Sequence, residues 1–190
     1  MSHEYLIDQL QFTGPESIQL DQSAQKIRMN YNHPVKELIW VLQREANYTV
    51  GTGYNDWFNF SASLPGTPVL STAVDLMADA KIQLNGHDRF TVRPQTYFRL
   101  VQPYQHHTRI PDKHIYVYSF AIRPEEHQPS GTLNMSRIDN AQLIFDLTSV
   151  ANLPSPSSQW SSAPGRIEIY APNYNVFRVM SGMGGLAYSN

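Results

Sequence analysis

The sequence predicts an all-β fold: an antiparallel, eight-stranded jelly-roll sandwich with one or two short helices in its connections. Three observations carry this expectation. Short apolar runs rich in β-branched and aromatic residues recur along the chain, some with strict period-2 alternation. They are separated by Pro, Gly, Asn and Ser clusters, several too long to be tight hairpins. Thirteen prolines, eleven tyrosines and 16% charged residues, against a usual figure of about 25%, disfavour long helices.

In chain order, EYLIDQLQF (Glu4 to Phe12) is the first expected strand. KIRMNYN (Lys26 to Asn32) sets Ile27, Met29 and Tyr31 against Lys26, Arg28, Asn30 and Asn32, the alternation of a half-buried strand. KELIWVLQ (Lys36 to Gln43) is apolar on both faces and so reads as a strand covered on both sides, with a bend or edge at His33-Pro34. KIQLNG (Lys81 to Gly86), IYVYSFAI (Ile115 to Ile122), AQLIFDL (Ala141 to Leu147), RIEIYA (Arg166 to Ala171) and NVFRVM (Asn175 to Met180) complete the eight. RPQTYFRLVQPYQHH (Arg93 to His107) reads as a helix, with Pro94 in the first turn, Tyr97, Phe98 and Val101 on one stripe, and Pro103 as the stop. A weaker helical pattern covers Ser71 to Ala78. TVGTGYND (Thr49 to Asp56), SLPGTP (Ser63 to Pro68), QPSG (Gln128 to Gly131) and NLPSPSSQWSSAPG (Asn152 to Gly165) read as loops. An immunoglobulin-like sandwich also fits so many strands with crossing connections, but the absence of cysteine removes its Cys, Trp, Cys hallmark and tilts the choice to the jelly roll.

A chain of 190 residues suffices for one domain, expected as a link and first strand over 1–25 followed by the jelly roll over 26–190. A formal charge of -2, with no two Lys or Arg residues adjacent, argues against direct nucleic-acid binding. The beginning, MSHEYLIDQL, lacks the pattern of a signal peptide, and no stretch approaches the roughly 20 apolar residues of a membrane span, so a soluble, non-secreted protein without membrane insertion is expected.

RPEEHQPSGTLNMSRIDN (Arg123 to Asn140) concentrates the side chains of a catalytic or metal site, yet it lies between two expected strands. Glu125, Glu126 and His127 are consecutive in a turn and should diverge, and Ser130 before Gly131 lacks the Gly-x-Ser-x-Gly elbow of a nucleophile. A metal site of the cupin kind needs His-x-His on one strand; His106 and His107 are adjacent instead, and His114 stands apart. SGMGG (Ser181 to Gly185) lacks the lysine of a phosphate loop and reads as a flexible or extended arm. Asn47, Asn59 and Asn134 each begin a glycosylation sequon, which means little without a secretory signal. No catalytic, cofactor-binding or metal-binding residue is therefore expected, and no enzyme.

IYVYSFAIRPEEHQPSGTLNMSRIDNAQLIF (Ile115 to Phe145) resembles the signature of the major capsid proteins of large nucleocytoplasmic DNA viruses, the group of phycodnaviruses, mimiviruses, iridoviruses and asfarviruses. LNGHDRF (Leu84 to Phe90), YFRLVQPYQHHTRIP (Tyr97 to Pro111) and YAPNYNVFRVMSGMGGLAYSN (Tyr170 to Asn190) extend the resemblance in the same order, the last closest to the phycodnavirus and mimivirus branch. The resemblance implies a protein of two consecutive jelly rolls, three copies of which form a pseudo-hexagonal capsomer in an icosahedral shell. On that resemblance this chain is expected to correspond to the carboxy-terminal jelly roll and the link into it. On that basis it is expected to be a structural virion protein, assembled in the host cytoplasm, whose partners are other copies of the capsid protein, trimeric at full length, and minor capsid proteins. In the resembled fold RPEEHQPSG is a connection, with Gly131 at positive φ. The alternative is a carbohydrate-binding jelly roll using GYNDWFN (Gly53 to Asn59), and a cupin-like enzyme ranks third.

Overall fold

The computed structural model describes residues 2–20, 24–49, 55–63, 73–149, 152–153 and 164–188. Its strands are β1 (Ser2–Phe12), β2 (Glu16–Gln19), β3 (Ala24–Met29), β4 (Pro34–Val35), β5 (Glu37–Arg44), β6 (Met77–Leu84) and β7 (His87–Asp88). They continue with β8 (Arg93–Pro94), β9 (Tyr116–Ser119), β10 (Leu133–Asn134), β11 (Ala141–Leu147), β12 (Pro164–Met180) and β13 (Met183–Leu186). The helical segments are short, and no helix among the described residues is long and apolar enough to cross a membrane.

Pairing is nested. β2 pairs with β12, β3 with β11, β5 with β9, and β6 with β7 and β8, always antiparallel. A long hairpin is thus wrapped on itself, which is the topology of a jelly roll. Cross-pairing of β12 with β5 and of β11 with β6 closes two sheets. The alternation read in the sequence sets which side chains enter the space between them: Ile27 and Met29 from β3, and Ala141, Leu143, Phe145 and Leu147 from β11, are buried, whereas Asp146 is exposed. From the opposite sheet come Leu38, Trp40 and Leu42, all fully buried, with Ile167 and Ile169. The Trp40 ring meets Phe98 at 5.2 Å and Tyr116 at 6.0 Å, so the largest side chain of the core joins strand β5, strand β9 and the helical connection.

Several expectations are corrected. Arg166 to Ala171 and Asn175 to Met180 belong to one strand, β12, which runs through Pro172. A proline interrupts a ladder only on the side its missing N–H would face. The Pro172 carbonyl accepts from Lys36 N at 2.8 Å, at the one-residue break between β4 and β5, while pairing with β1 continues through Leu10 opposite Pro172. Among the expected strands, Ile115 to Ile122 forms a strand only over Tyr116–Ser119, and β2, β4, β7, β8, β10 and β13 were not foreseen. Asn85 (φ 50°) and Gly86 (φ 84°) form a tight two-residue hairpin between β6 and β7, as positive φ at both central positions permits.

The helix is shorter than expected. Arg93 and Pro94 are β8, and the helix opens at Gln95 and Thr96, widens into a π turn over Tyr97–Val101 and ends in an α segment over Gln102–His106. Pro103 lies inside it: the wider turn accommodates a residue with no N–H to donate. Phe98 and Gln102 face inward, and Val101 is exposed. In the weaker helical pattern Met77 and Ala78 open β6, and Ser71 lies outside the described residues. The loops Thr49 to Asp56, Ser63 to Pro68 and Asn152 to Gly165 lie largely outside them too.

Candidate functional site

The polar connection after β9 is a closed turn. Ile122 N donates to the Ser130 carbonyl at 3.3 Å, Arg123 N donates to Ser130 Oγ at 2.9 Å, and that hydroxyl donates to the Arg123 carbonyl at 3.2 Å. Ser130 therefore fastens the base of the turn. Gly131 follows with φ 134°, and a Cβ there would lie 3.0 Å from the Phe120 carbonyl oxygen. Glu125, Glu126 and His127 diverge: Glu125 meets His107 at 3.1 Å, Glu126 meets Arg123 at 3.2 Å, and His127 is 3.9 Å from Asp8.

His107, just past the helix, is held from both sides. Nε2 lies 2.8 Å from Glu37 Oε2 on β5, and Nδ1 lies 3.1 Å from Glu125 Oε1. The hydrogen bond to Glu37 raises the imidazole above its ordinary value of 6.5, against an opposing effect of burial. Because the two ring nitrogens face opposite ways, this arrangement directs them to two carboxylates and not to one ion. His106 Nδ1 donates to the Ile122 carbonyl at 2.9 Å. His114 is fully buried, kept neutral by that burial, and donates from Nε2 to the Ala73 carbonyl at 2.9 Å. Among the described residues no group of three or more His, Cys, Asp or Glu side chains is disposed to hold a metal ion.

A second buried polar cluster, not foreseen from sequence, ties the helix to the sheets. Asp75 Oδ1 accepts from Tyr116 OH at 2.8 Å and lies 3.4 Å from Arg99 Nε. Burial, with the Asp75 charge second, raises the Tyr116 phenol well above 10.0, so it remains a donor. These contacts are structural: they satisfy polar groups that would otherwise be stranded in the core.

The outer face of the β12–β5 sheet has a different character. Ile39, Val41, Trp57, Phe58, Phe60 and Tyr170 line an open apolar groove of about 600 Å³. Its polar members bind one another: Arg166 Nε donates to Gln43 Oε1 at 2.9 Å, Arg166 Nη2 pairs with Glu168 at 3.1 Å, and Tyr170 OH donates to Glu168 at 2.7 Å. What the groove presents outward is therefore apolar. The same face continues onto β1, where Phe12 stacks on Tyr170 at 4.6 Å and Leu10 is 63% exposed. Beyond the sandwich, β1, the end of β12 and β13 form a three-stranded ribbon with Tyr5, Met180, Met183 and Leu186 exposed. Ser181 and Gly182, both at positive φ, make its turn, so SGMGG is a hairpin and not a loose arm.

Of the three sequons, Asn47 and Asn59 are fully buried, and their amides bond the Asn59 carbonyl and Asp56 respectively. Asn134 is exposed and accepts from Ser136 N at 3.1 Å, capping a short 3-10 turn. In the proposed sugar-binding loop, Trp57 and Phe58 belong to the apolar groove, and residues 53–54 lie outside the described residues.

A jelly roll whose polar side chains bind largely one another and whose outer faces expose apolar side chains defines a structural module, and comparison with known proteins makes the class specific. The family model for the large eukaryotic DNA virus major capsid protein matches residues 1–185. The chain belongs to this family. It is 47% identical to the major capsid protein of Pyramimonas orientalis virus, with all of the chain and 44% of that protein covered. It is 42% identical to the major capsid protein of Paramecium bursaria Chlorella virus 1, with all of the chain and 49% of that protein covered. Among solved structures, the PBCV-1 VP54 crystal structure fitted into a reconstruction of the virophage Sputnik superposes with a TM-score of 0.79 at 37% identity, over the whole chain and 52% of VP54. The Faustovirus major capsid protein, at 16% identity and a TM-score of 0.66 over 93% of the chain and 33% of its own, shares the fold. The chain spans about half the length of the curated relatives it matches.

Proposed function

We propose that this chain is the jelly-roll building block of a capsomer in an icosahedral double-stranded DNA virus capsid, and that it works by association and not by turnover. The observation that carries this reading is the apolar outer face running from Leu10 and Phe12 to Ile39 and Phe58, in a chain whose relatives are capsid proteins twice its length. A surface whose polar groups already bind one another offers little to a charged ligand and much to an apolar neighbour. The organisation proposed is a link over 1–25 and a jelly roll over 26–190, with β1 as the strand of the link; β2 already joins the sandwich.

Restored to full length, the protein forms a trimer with other copies of itself, with minor capsid proteins as further partners. It assembles in the host cytoplasm into the virion. It uses no metal or cofactor, binds no nucleic acid directly, consistent with a formal charge of -2, and does not insert into membranes. Light scattering coupled to size-exclusion chromatography tests the assembly. The chain alone should be monomeric or weakly self-associating, and a defined trimer should appear once the preceding half is restored. A stable, concentration-independent trimer of this chain by itself would overturn that account. About one transition-metal ion per chain by elemental analysis would overturn the reading as a purely structural protein.

A further inference from the structure

We propose that His107 is a protonation-controlled clasp, fastening the connection after β9 to the helix end and to β5 when charged and releasing the Glu125 side when neutral. The geometry supplies the reason. An imidazolium donates from both nitrogens, whereas a neutral imidazole has one N–H and one lone pair. His107 faces a carboxylate on each side, at 2.8 Å and 3.1 Å, so both contacts are hydrogen bonds only in the charged ring.

On deprotonation the two sides are unequal. The Glu37 side chain is 8% exposed and the Glu125 side chain 40% exposed. Leaving the buried carboxylate without its donor costs more, so the remaining proton stays on Nε2 toward Glu37. The Nδ1 lone pair then faces the Glu125 carboxylate, and the contact becomes repulsive. Glu125 keeps only the Thr108 N–H at 3.1 Å and the longer Thr108 hydroxyl contact at 3.4 Å.

Other charges nearby are engaged elsewhere and do not replace the proton. Lys36, next to Glu37 in sequence, pairs with Asp8 at 3.4 Å; in the connection, Arg123 pairs with Glu126 and His127 faces Asp8; on the helix, Arg99 pairs with Asp75 and His106 bonds Ile122 O. Because the folded-state value lies above 6.5, the clasp's contribution is complete below 6.5 and is lost as pH rises through the raised value.

The test follows the His107 ring and the Thr108 amide by NMR from about pH 5.5 to about pH 8.5. His107 should titrate above 6.5. The Thr108 protection factor, corrected for intrinsic exchange, should fall about fivefold across the same titration, the scale of one partly exposed charge-assisted bond. Glu125→Gln, at an exposed position that leaves the core untouched, should abolish that step while β5 and β9 amides stay protected. A His107 titration at or below 6.5, or an unchanged protection step in Glu125→Gln, would overturn the proposal.

Discussion

Replacing Gly131 by alanine tests the central connection with one methyl group. Its φ of 134° lies in a region that L-residues avoid, a strain of about 1–3 kcal/mol. The added Cβ would also sit 3.0 Å from the Phe120 carbonyl oxygen. That carbonyl cannot retreat freely: Phe120 N donates to Lys36 O at 2.9 Å, and the Phe120 ring packs edge-on against Tyr118 at 5.2 Å. Displacing it adds about 1 kcal/mol, at the low end of overpacking costs. The expected loss is therefore about 2–4 kcal/mol, or a melting temperature lower by roughly 5–15 °C for a domain of this size. Gly86→Ala is the control, since Gly86 also has positive φ, 84°, but nothing lies within 4 Å of its Cβ position. Equilibrium urea unfolding gives both values on one scale. If Gly131→Ala lies within about 0.5 kcal/mol of the parent, or is no worse than Gly86→Ala, the strain-plus-contact account is wrong.

Gly165→Ala should destabilise by about 1–3 kcal/mol through packing alone, because its Cβ would meet the Gln43 carbonyl oxygen at 2.7 Å and Leu20 Cγ at 3.1 Å; an unfolding midpoint equal to the parent's would contradict that close approach. Trp40→Ala should cost about 3–5 kcal/mol, a large share of a typical domain's stability, and remove near-ultraviolet circular dichroism from the Phe98 and Tyr116 cluster. Retention of the parent's melting temperature and aromatic signal would show that Trp40 does not anchor the core.

The sequence by itself determined which side chains of several strands face inward. Alternation in Lys26 to Met29 and Ala141 to Leu147 is a local property of a pleated chain, and the two-sided apolar run at Leu38 to Leu42 announced a strand apolar on both faces, the inner one buried in the core and the outer one lining the groove. The ordered motifs from Leu84 to Asn190 carried the family. Only the tertiary structure decided whether Pro172 breaks a strand, because the cost of its missing N–H depends on which neighbour lies on that side. It also decided that His107 is a bridge: Glu37 is 70 positions away and Glu125 is 18, and no local pattern encodes their meeting. The groove had the same origin. Ile39 and Tyr170 read as strand residues and Trp57 as a loop residue, and the face they share was set by the pairing of β5 with β12 and the fold of the loop above it. Periodicity reports the direction of a side chain relative to its own strand, whereas what it meets there is fixed by the packing of segments far apart in sequence.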